Sequence, residues 1–193
     1  SVVHTWKMPF PPGRHAVILP NGNLGYNGKH PDSPNIYVPW AIWNGGAFLE
    51  ATQDGKIVWE YTDLAHHHDA QWLDNGNLLY GAVEPMPKDV AAEIVGGHAK
   101  NLSKDDPVYG DVVKEVDRKG KVVWSWRSWE HLNISDFPIH RFFERTHWPY
   151  INGLWLARGE VVLMSLRTTS GVIGVDKSSG KIVLHIGKEF VSQ

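Results

Sequence analysis

The sequence predicts an all-β fold, a segment of a β-propeller that holds about three four-stranded blades. The chain has 193 residues, among them 10 tryptophans, 19 glycines and 12 prolines, a composition typical of short strands joined by tight turns. Two sequence elements recur about every 60 residues, which is the size of a propeller blade with long loops. Helical periodicity is nearly absent outside one short stretch.

The first recurring element is a six-residue strand. It carries two β-branched residues near its start and then alternates large and small side chains, as a strand does. Three of its four copies follow a turn that contains an acidic residue and a glycine, which accepts a positive φ at no steric cost. The copies are 1–6 (SVVHTW), 56–61 (KIVWEY), 121–126 (KVVWSW) and 181–186 (KIVLHI).

The second recurring element is a hairpin. In two copies, 16–24 (AVILPNGNL) and 70–78 (AQWLDNGNL), an Asn-Gly pair stands at the turn, which is one of the strongest hairpin signals in a short sequence. A third copy is 154–163 (LWLARGEVVL). Each unit therefore holds two hairpins, and hence about four strands.

The repeats also predict the boundaries of the domain. Closed propellers have about four to eight blades, and this chain holds three periods that begin and end inside the motif. We therefore expect residues 1–193 to be a partial propeller domain, truncated or split at both ends. Further polypeptide or a second chain would close the ring. Residues 87–100 (PKDVAAEIVGGHAK) read as an insertion within a blade, with room for a helical turn or two.

Charge and cysteine content exclude several classes of protein. The net charge of −2 does not favour a nucleic-acid partner, and the absence of cysteine excludes disulfides and a thiolate nucleophile. No apolar run approaches the roughly 18 residues that a membrane span needs, so we expect no membrane span. No signal peptide is visible at Ser1.

Several phrases of the sequence occur in the order and spacing of a known family. They are VVHTW with LPNGNL near the start, HHDAQWLDNGNLL at 67–79, VKEVDRKGKVVWSWRSWEHL at 113–132, THW at 146–148 and VVLMSLRTTSGVIGVDKSSGKIV at 161–183. With them the chain resembles the bacterial arylsulfotransferase-like (ASST) family over nearly its whole length. The resemblance implies a six-bladed propeller in the periplasm or outside the cell. It also implies an enzyme that moves a sulfuryl group from a phenol ester to another phenol without a nucleotide sulfate donor.

The resemblance also assigns catalytic residues. His68 matches the histidine of the HHD element, His147 that of the T-H element, and Arg167 the arginine that closes the L-M-S-x-R strand. The histidine that takes the sulfuryl group covalently belongs to a motif expected beyond Gln193. One position departs from the family, because the asparagine two residues after the T-H histidine is replaced by Pro149. The nearest asparagine, Asn152, is the substitute we expect to bind substrate.

The residue types suit sulfuryl transfer. Imidazole can attack sulfur or take the proton of a phenol, and guanidinium can hold two sulfate oxygens at once. Asp69 is expected to orient its neighbour His68, with His67 as a further supporting residue. The expected aromatic wall for the phenyl ring of an aryl sulfate or phenol consists of Trp72, Trp148 and Trp155.

Three other functions stay open from the sequence. The first is a propeller that binds a ligand or a partner without catalysis. The second is a quinone-dependent propeller, although the blade signature matches only at its ends and the vicinal disulfide of those enzymes needs cysteine. The third is a metal site, although no cofactor is expected otherwise. Adjacent strand residues point to opposite faces, so a metal site would join His68 to His147, with His15 or His140 as an optional further ligand.

Overall fold

The computed structural model describes residues 1–99, 103, 105–158 and 160–187. These residues form fifteen strands, twelve of which make three four-stranded antiparallel blades, so the predicted all-β propeller segment is confirmed. No helix in the described ranges is long and apolar enough to cross a membrane.

Blade 1 follows the predicted order of two hairpins. Its strands are β1 (Pro12–Ile18), β2 (Leu24–Lys29), β3 (Gly46–Ala51) and β4 (Ile57–Thr62), paired in sequence order. The first hairpin turns at Gly22, whose φ of 83° explains why glycine stands in the NGN motif. A short helix, α1 (Trp40–Trp43), lies in the connection between β2 and β3.

Blade 2 carries extra elements between its second and third strands. It begins with β5 (His66–Trp72) and β6 (Leu78–Pro85). Within the stretch expected as an insertion, the described residues hold α2 (Lys88–Ala92) and β7 (Gly96–His98), while residue 100 lies outside the described part. The blade ends with β8 (Tyr109–Val116), paired with β6, and β9 (Val122–Arg127), paired with β8.

A connection of more than twenty residues leads to blade 3. It contains α3 (Ser128–His131), a 3-10 turn at Ile134–Asp136, β10 (Ile139–Glu144) and β11 (His147–Trp148). The strand β10 pairs in parallel with β7, and β11 pairs in parallel with β8. Blade 3 then consists of β12 (Ile151–Ala157), β13 (Val161–Leu166), β14 (Gly171–Asp176) and β15 (Ile182–Ile186).

The blades pack face to face, with their first strands together. The strand β5 contacts both β12 and β1, so the innermost strands of the three blades lie side by side. The largest apolar core joins blades 2 and 3 to the connection between them. Its members include Leu79, Val113, Trp126, Trp148, Leu154, Met164 and Ile173.

A repeated contact joins each blade to the next. The indole N–H of Trp59 donates to the carbonyl of Arg118 at 3.0 Å, and that of Trp124 donates to the carbonyl of Lys177 at 2.9 Å. The basic side chains return over the rings, at 4.6 Å for Arg118 and 5.7 Å for Lys177. The tryptophans of the KIVW and KVVW repeats thus hold neighbouring blades together, as packing at an inter-blade face requires.

Residues 1–6 repeat this contact without forming a regular strand. His4 occupies the position of Trp59 in the repeat, and its Nε2 lies 2.9 Å from the carbonyl oxygen of Gln53. The indole of Trp6 donates to the carbonyl of Thr52 at 2.9 Å. The first copy of the strand element therefore packs on blade 1 as the later copies pack on the blades that follow them.

The NGN turns take part in the same junctions. Glu50 accepts hydrogen bonds from Asn21 at 3.0 Å and Asn23 at 2.7 Å, and pairs with Arg118 of the next blade at 2.5 Å. Burial alone would raise the pKa of Glu50, but these donors and the arginine hold it below its ordinary value. Glu115 is bound in the same way, by Asn75, Asn77 and Lys177.

An ion pair between blades 1 and 2 gives a pH-dependent prediction. Asp63 accepts from Lys114 and from the Tyr80 hydroxyl, both at 2.9 Å, with Glu84 3.7 Å from the same ammonium and His66 nearby. Burial would raise the pKa of Asp63, but the Lys114 charge and these hydrogen bonds lower it below its ordinary value. Its contribution is therefore complete above the unfolded-state pKa of about 3.9 and is lost as pH falls through the folded pKa.

Replacing Asp63→Asn is therefore expected to lower the free energy of unfolding by about 2 kcal/mol near neutral pH, as for a lost charged hydrogen bond. In urea denaturation the difference from wild type should be constant above about pH 6 and should shrink below about pH 4. Asp32→Asn is the control, because the Asp32 side chain is 81% exposed. A difference that stays constant down to about pH 3 would contradict the assignment.

Candidate functional site

A group of buried polar side chains lies where the innermost strands begin. In an antiparallel blade the first strand starts at the same end at which the second strand finishes and the third strand starts. The start of β5 brings His67 and His68 to this end, and the start of β8 brings Asp111. Arg167 directly follows β13 and donates its backbone N–H to the carbonyl of Tyr150, so it belongs to the same end of blade 3.

A bulge at the start of β5 determines where the three adjacent histidines point. His68 has a φ of 58°, in the left-handed region that a side chain seldom adopts, and the pairing with β6 shifts between His66 and Ala70. His66 lies inside blade 2, with Nδ1 2.8 Å from the carbonyl oxygen of Gly81. Burial, with the neighbouring His67, lowers the pKa of His66 to about 3. The bulge turns His67 and His68 towards the site.

His67, Asp111 and His147 form a fully buried cluster. The Nε2 atoms of His67 and His147 lie 3.1 and 3.0 Å from the same oxygen, Oδ1 of Asp111. The other oxygen, Oδ2, accepts the backbone N–H of Tyr150 at 2.8 Å. Burial would raise the pKa of Asp111, but the adjoining His147 and His67 hold it well below its usual range. Burial lowers the pKa of His147, against the attraction of Asp111.

Two tyrosines cover this cluster. The hydroxyl of Tyr37, from the connection before α1, lies 2.7 Å from Nδ1 of His147. The Tyr150 ring stacks on the His147 ring with centroids 4.3 Å apart, and its backbone is also left-handed, with a φ of 66°. Burial raises the pKa of Tyr150 to about 12 and raises the pKa of Tyr37 as well, so both hydroxyls stay protonated.

The more exposed part of the site is an aromatic and cationic rim around Trp43. The His68 ring stacks on Trp43 at 4.7 Å, and the guanidinium groups of Arg14 and Arg167 lie 4.1 and 5.4 Å from the Trp43 ring. Burial and the nearby His67 and His147 lower the pKa of His68 to about 2, so its imidazole is neutral. The ion pairs among the described residues include neither arginine.

The three residues predicted as catalytic lie around Tyr150. Its ring centroid is 5.2 Å from that of His68, 4.3 Å from that of His147, and 5.1 Å from the Arg167 guanidinium. His68 and Arg167 belong to the rim, whereas His147 is completely buried beneath Tyr150. His67, predicted as a supporting residue, contacts Asp111 directly and lies in the centre of the buried cluster.

The predicted aromatic wall does not assemble around Tyr150. Trp148 has no exposed surface, packs in the core between blades 2 and 3, and donates its indole N–H to the carbonyl of Phe137 at 2.9 Å. Trp72 and Trp155 instead line a separate cleft of about 540 Å³ on the innermost strands. Trp148 faces the core from β11 in the connection before blade 3, whereas Trp155 is 58% exposed on β12.

Asp69 and Asn152 also lie away from the catalytic candidates. Asp69 accepts the backbone N–H of Leu154 at 3.0 Å, so it joins β5 to β12 instead of orienting His68, whose Nδ1 lies 2.9 Å from Nδ1 of His67. Asn152 is exposed and accepts a hydrogen bond from Ser165 at 2.9 Å. The residue that takes the place beside His147 is Tyr150, one position after Pro149.

The histidines named for a metal site are not combined as expected. His15 stacks near Trp72 at 6.0 Å and lies 3.6 Å from Asp69, while His140 packs against Phe142 at 5.0 Å. The potential metal ligands beside His147 are instead His67 and Asp111.

Five residues of the candidate site were not predicted from the sequence, and only some of them carried a signal there. Tyr150 follows the T-H-W-P run directly, and Arg14 lies next to a histidine on the first strand. Asp111 stands at the start of β8 with no motif around it. These residues are Arg14, Tyr37, Trp43, Asp111 and Tyr150.

The fold and the site define a class: a propeller segment with buried histidines beneath a cationic rim where its innermost strands begin. The family model described as arylsulfotransferase (ASST) matches residues 51–191, and the chain belongs to that family. It is thus arylsulfotransferase-like, as its sequence motifs indicated.

Comparison with solved structures gives a more distant likeness. A protein of unknown function from Bacteroides caccae aligns with 89% of the chain at 13% identity and a TM-score of 0.45. The chain spans 44% of that protein's length. No curated protein matches the chain.

Proposed function

We propose that this chain forms part of a sulfuryl transferase that moves a sulfuryl group from an aryl sulfate to a phenol at the rim around Trp43. One observation carries the proposal. Two guanidinium groups, of Arg14 and Arg167, lie against one tryptophan beside His68 and have no carboxylate partner among the described residues. An anion with an aromatic group is the ligand that such a rim suits.

The chemistry requires charge stabilisation more than acid or base strength. The bond from sulfur to the donor oxygen breaks and a bond from sulfur to the acceptor phenol oxygen forms, while one proton passes from the acceptor to the departing phenolate. The negative sulfuryl oxygens need cationic and hydrogen-bonding groups that are already in place. Arg167 is held by the rings of Trp43, Phe143 and Tyr150, each between 5.1 and 5.4 Å from it.

His68 is the imidazole nearest to this rim. Its Nδ1 is engaged by His67, which leaves Nε2 for a reacting oxygen, and 8% of the residue is exposed. We retain a catalytic role for His147, which would act from the buried cluster through Tyr37 or Tyr150. The protein would act in the periplasm or outside the cell, as its resemblance to the arylsulfotransferase family implies.

Replacing His68→Ala is expected to lower the transfer rate more than tenfold, a barrier increase of about 1.4 kcal/mol or more, because the reacting oxygen loses its imidazole partner. The assay follows nitrophenolate release from 4-nitrophenyl sulfate in the presence of phenol. His131→Ala is the matched control, because His131 is an exposed histidine stacked on Trp126. Equal losses in the two variants would contradict a role for His68.

A binding function without transfer is the second candidate. Pro149 stands where the family carries asparagine, and His147 is fully covered by Tyr150. Calorimetric titration of 4-nitrophenyl sulfate distinguishes the two. Binding without release or transfer to any phenol would identify a ligand-binding propeller, whereas transfer that increases with phenol concentration supports the enzyme.

A further inference from the structure

Three potential metal ligands converge in the buried cluster. The Nε2 atoms of His67 and His147 and Oδ1 of Asp111 all lie within 4.8 Å of one another. All three side chains are 1% exposed. They come from three separate elements, β5, β8 and β11, so their convergence is a property of the fold and not of one local motif.

The contacts within the cluster do not satisfy its polar atoms. Both Nε2 atoms are within hydrogen-bond distance of Oδ1, yet among the described residues none of the three atoms has a hydrogen-bond partner of suitable angle. A buried polar atom without a partner costs roughly 1–3 kcal/mol, so three at one point need an explanation. Ligand atoms directed at a shared central ion have this arrangement, since they are close together without pointing at one another.

The outer atoms of the same residues are all engaged. Nδ1 of His147 lies 2.7 Å from the Tyr37 hydroxyl, and Nδ1 of His67 lies 2.9 Å from Nδ1 of His68. Oδ2 of Asp111 accepts the Tyr150 backbone N–H at 2.8 Å. Histidine ligands of metals characteristically bind through one ring nitrogen while the other is held by a hydrogen bond, which fixes the ring.

We infer that His67, Asp111 and His147 bind one divalent transition-metal ion, with zinc as the ion that best suits the ligands. Two imidazoles and a carboxylate form a common zinc ligand set, with bonds of about 2.0–2.2 Å. In a tetrahedral site such bonds separate neighbouring ligand atoms by roughly 3.3 Å, close to the 3.0 and 3.1 Å between the nitrogens and Oδ1. Three protein ligands leave a fourth position for water or a ligand oxygen.

This inference goes beyond the proposed transfer, and it is tested without any substrate. The protein, dialysed against a chelator and then against Zn²⁺, should contain about one zinc per chain by elemental analysis, and Zn²⁺ should raise its melting temperature. Asp111→Asn should weaken zinc binding at least tenfold in calorimetric titration. His66→Gln is the matched control, because His66 is an equally buried neighbour that bonds Gly81 instead of Asp111.

A second variant covers the case in which Asp111→Asn does not fold. Tyr37→Phe keeps all three ligands but removes the hydroxyl on His147, and it should weaken zinc binding about tenfold or more, as loss of an outer hydrogen bond does. The wild type is exposed separately to Zn²⁺, Mn²⁺ and Fe²⁺. The inference would be overturned if the protein bound much less than one zinc per chain and bound neither of the other ions. Zinc binding that neither variant weakens would also overturn it, and the cluster would then be a network that shares protons.

Discussion

Arg167→Lys is expected to lower kcat/KM for transfer from 4-nitrophenyl sulfate about 100-fold, which corresponds to about 2.7 kcal/mol of transition-state stabilisation. A guanidinium can give two parallel hydrogen bonds to a sulfate group and stacks on aromatic rings, whereas an ammonium is a point charge. The three rings that surround Arg167 fit the planar group, so lysine would keep the charge without the geometry. Arg167→Ala should be at least as poor.

The control for Arg167 is another arginine against an aromatic ring. Arg141 lies 4.9 Å from the Phe142 ring on the exposed surface, and Arg141→Lys should leave transfer within about twofold of wild type. Arg14→Ala should reduce transfer less than Arg167→Ala, since Arg14 is exposed and already donates to the Ile42 carbonyl. Wild-type rates in Arg167→Lys would remove Arg167 from the proposed site.

Trp148→Ala is expected to lower the free energy of unfolding by about 4 kcal/mol, the largest stability change proposed for this chain. The residue has no exposed surface, and its truncation would leave a cavity in the core between blades 2 and 3. Trp155→Ala is the matched control, because its side chain is 58% exposed on β12 and should cost less than about 0.5 kcal/mol. Urea denaturation followed by circular dichroism measures both.

If Trp148→Ala does not fold, Trp148→Phe gives the same test in a milder form. It keeps most of the apolar volume and removes the indole N–H from the Phe137 carbonyl, so a loss of roughly 1–3 kcal/mol is expected. A stable Trp148→Ala protein with impaired binding of aryl sulfate would instead support the wall that the sequence predicted.

The fold was predictable because its signals are local and repeated. The Asn-Gly pairs at 21–22 and 75–76 mark hairpins that the structure contains, and the KIVW and KVVW segments became β4 and β9. The third hairpin lacks an Asn-Gly pair, yet β12 and β13 form it. The alternation of apolar residues was sufficient to predict both strands. Propeller blades repeat one supersecondary unit, so a copy with a weak signal can be recognised from its likeness to the other copies.

The residues of the candidate site could be predicted only where a motif marked them. His68, His147 and Arg167 were found through family motifs, and all three contact Tyr150. The rule that adjacent strand residues face opposite sides failed at β5, because the left-handed backbone at His68 brings His67 and His68 to one region. Asp111 meets His147 through tertiary packing between β8 and β11, which no local pattern encodes.

The contact between Tyr37 and His147 bears on when the site forms during folding. The two residues are 110 positions apart and belong to the connection inside blade 1 and the connection that precedes blade 3. Closing a loop of that length costs about 4 kcal/mol of chain entropy before any contact forms, more than one hydrogen bond returns. The pair can therefore form only after the intervening blade has brought its neighbours together. Formation of this hydrogen bond would thus mark a late step of folding. Amide protons around it should exchange with solvent earlier than those within each blade.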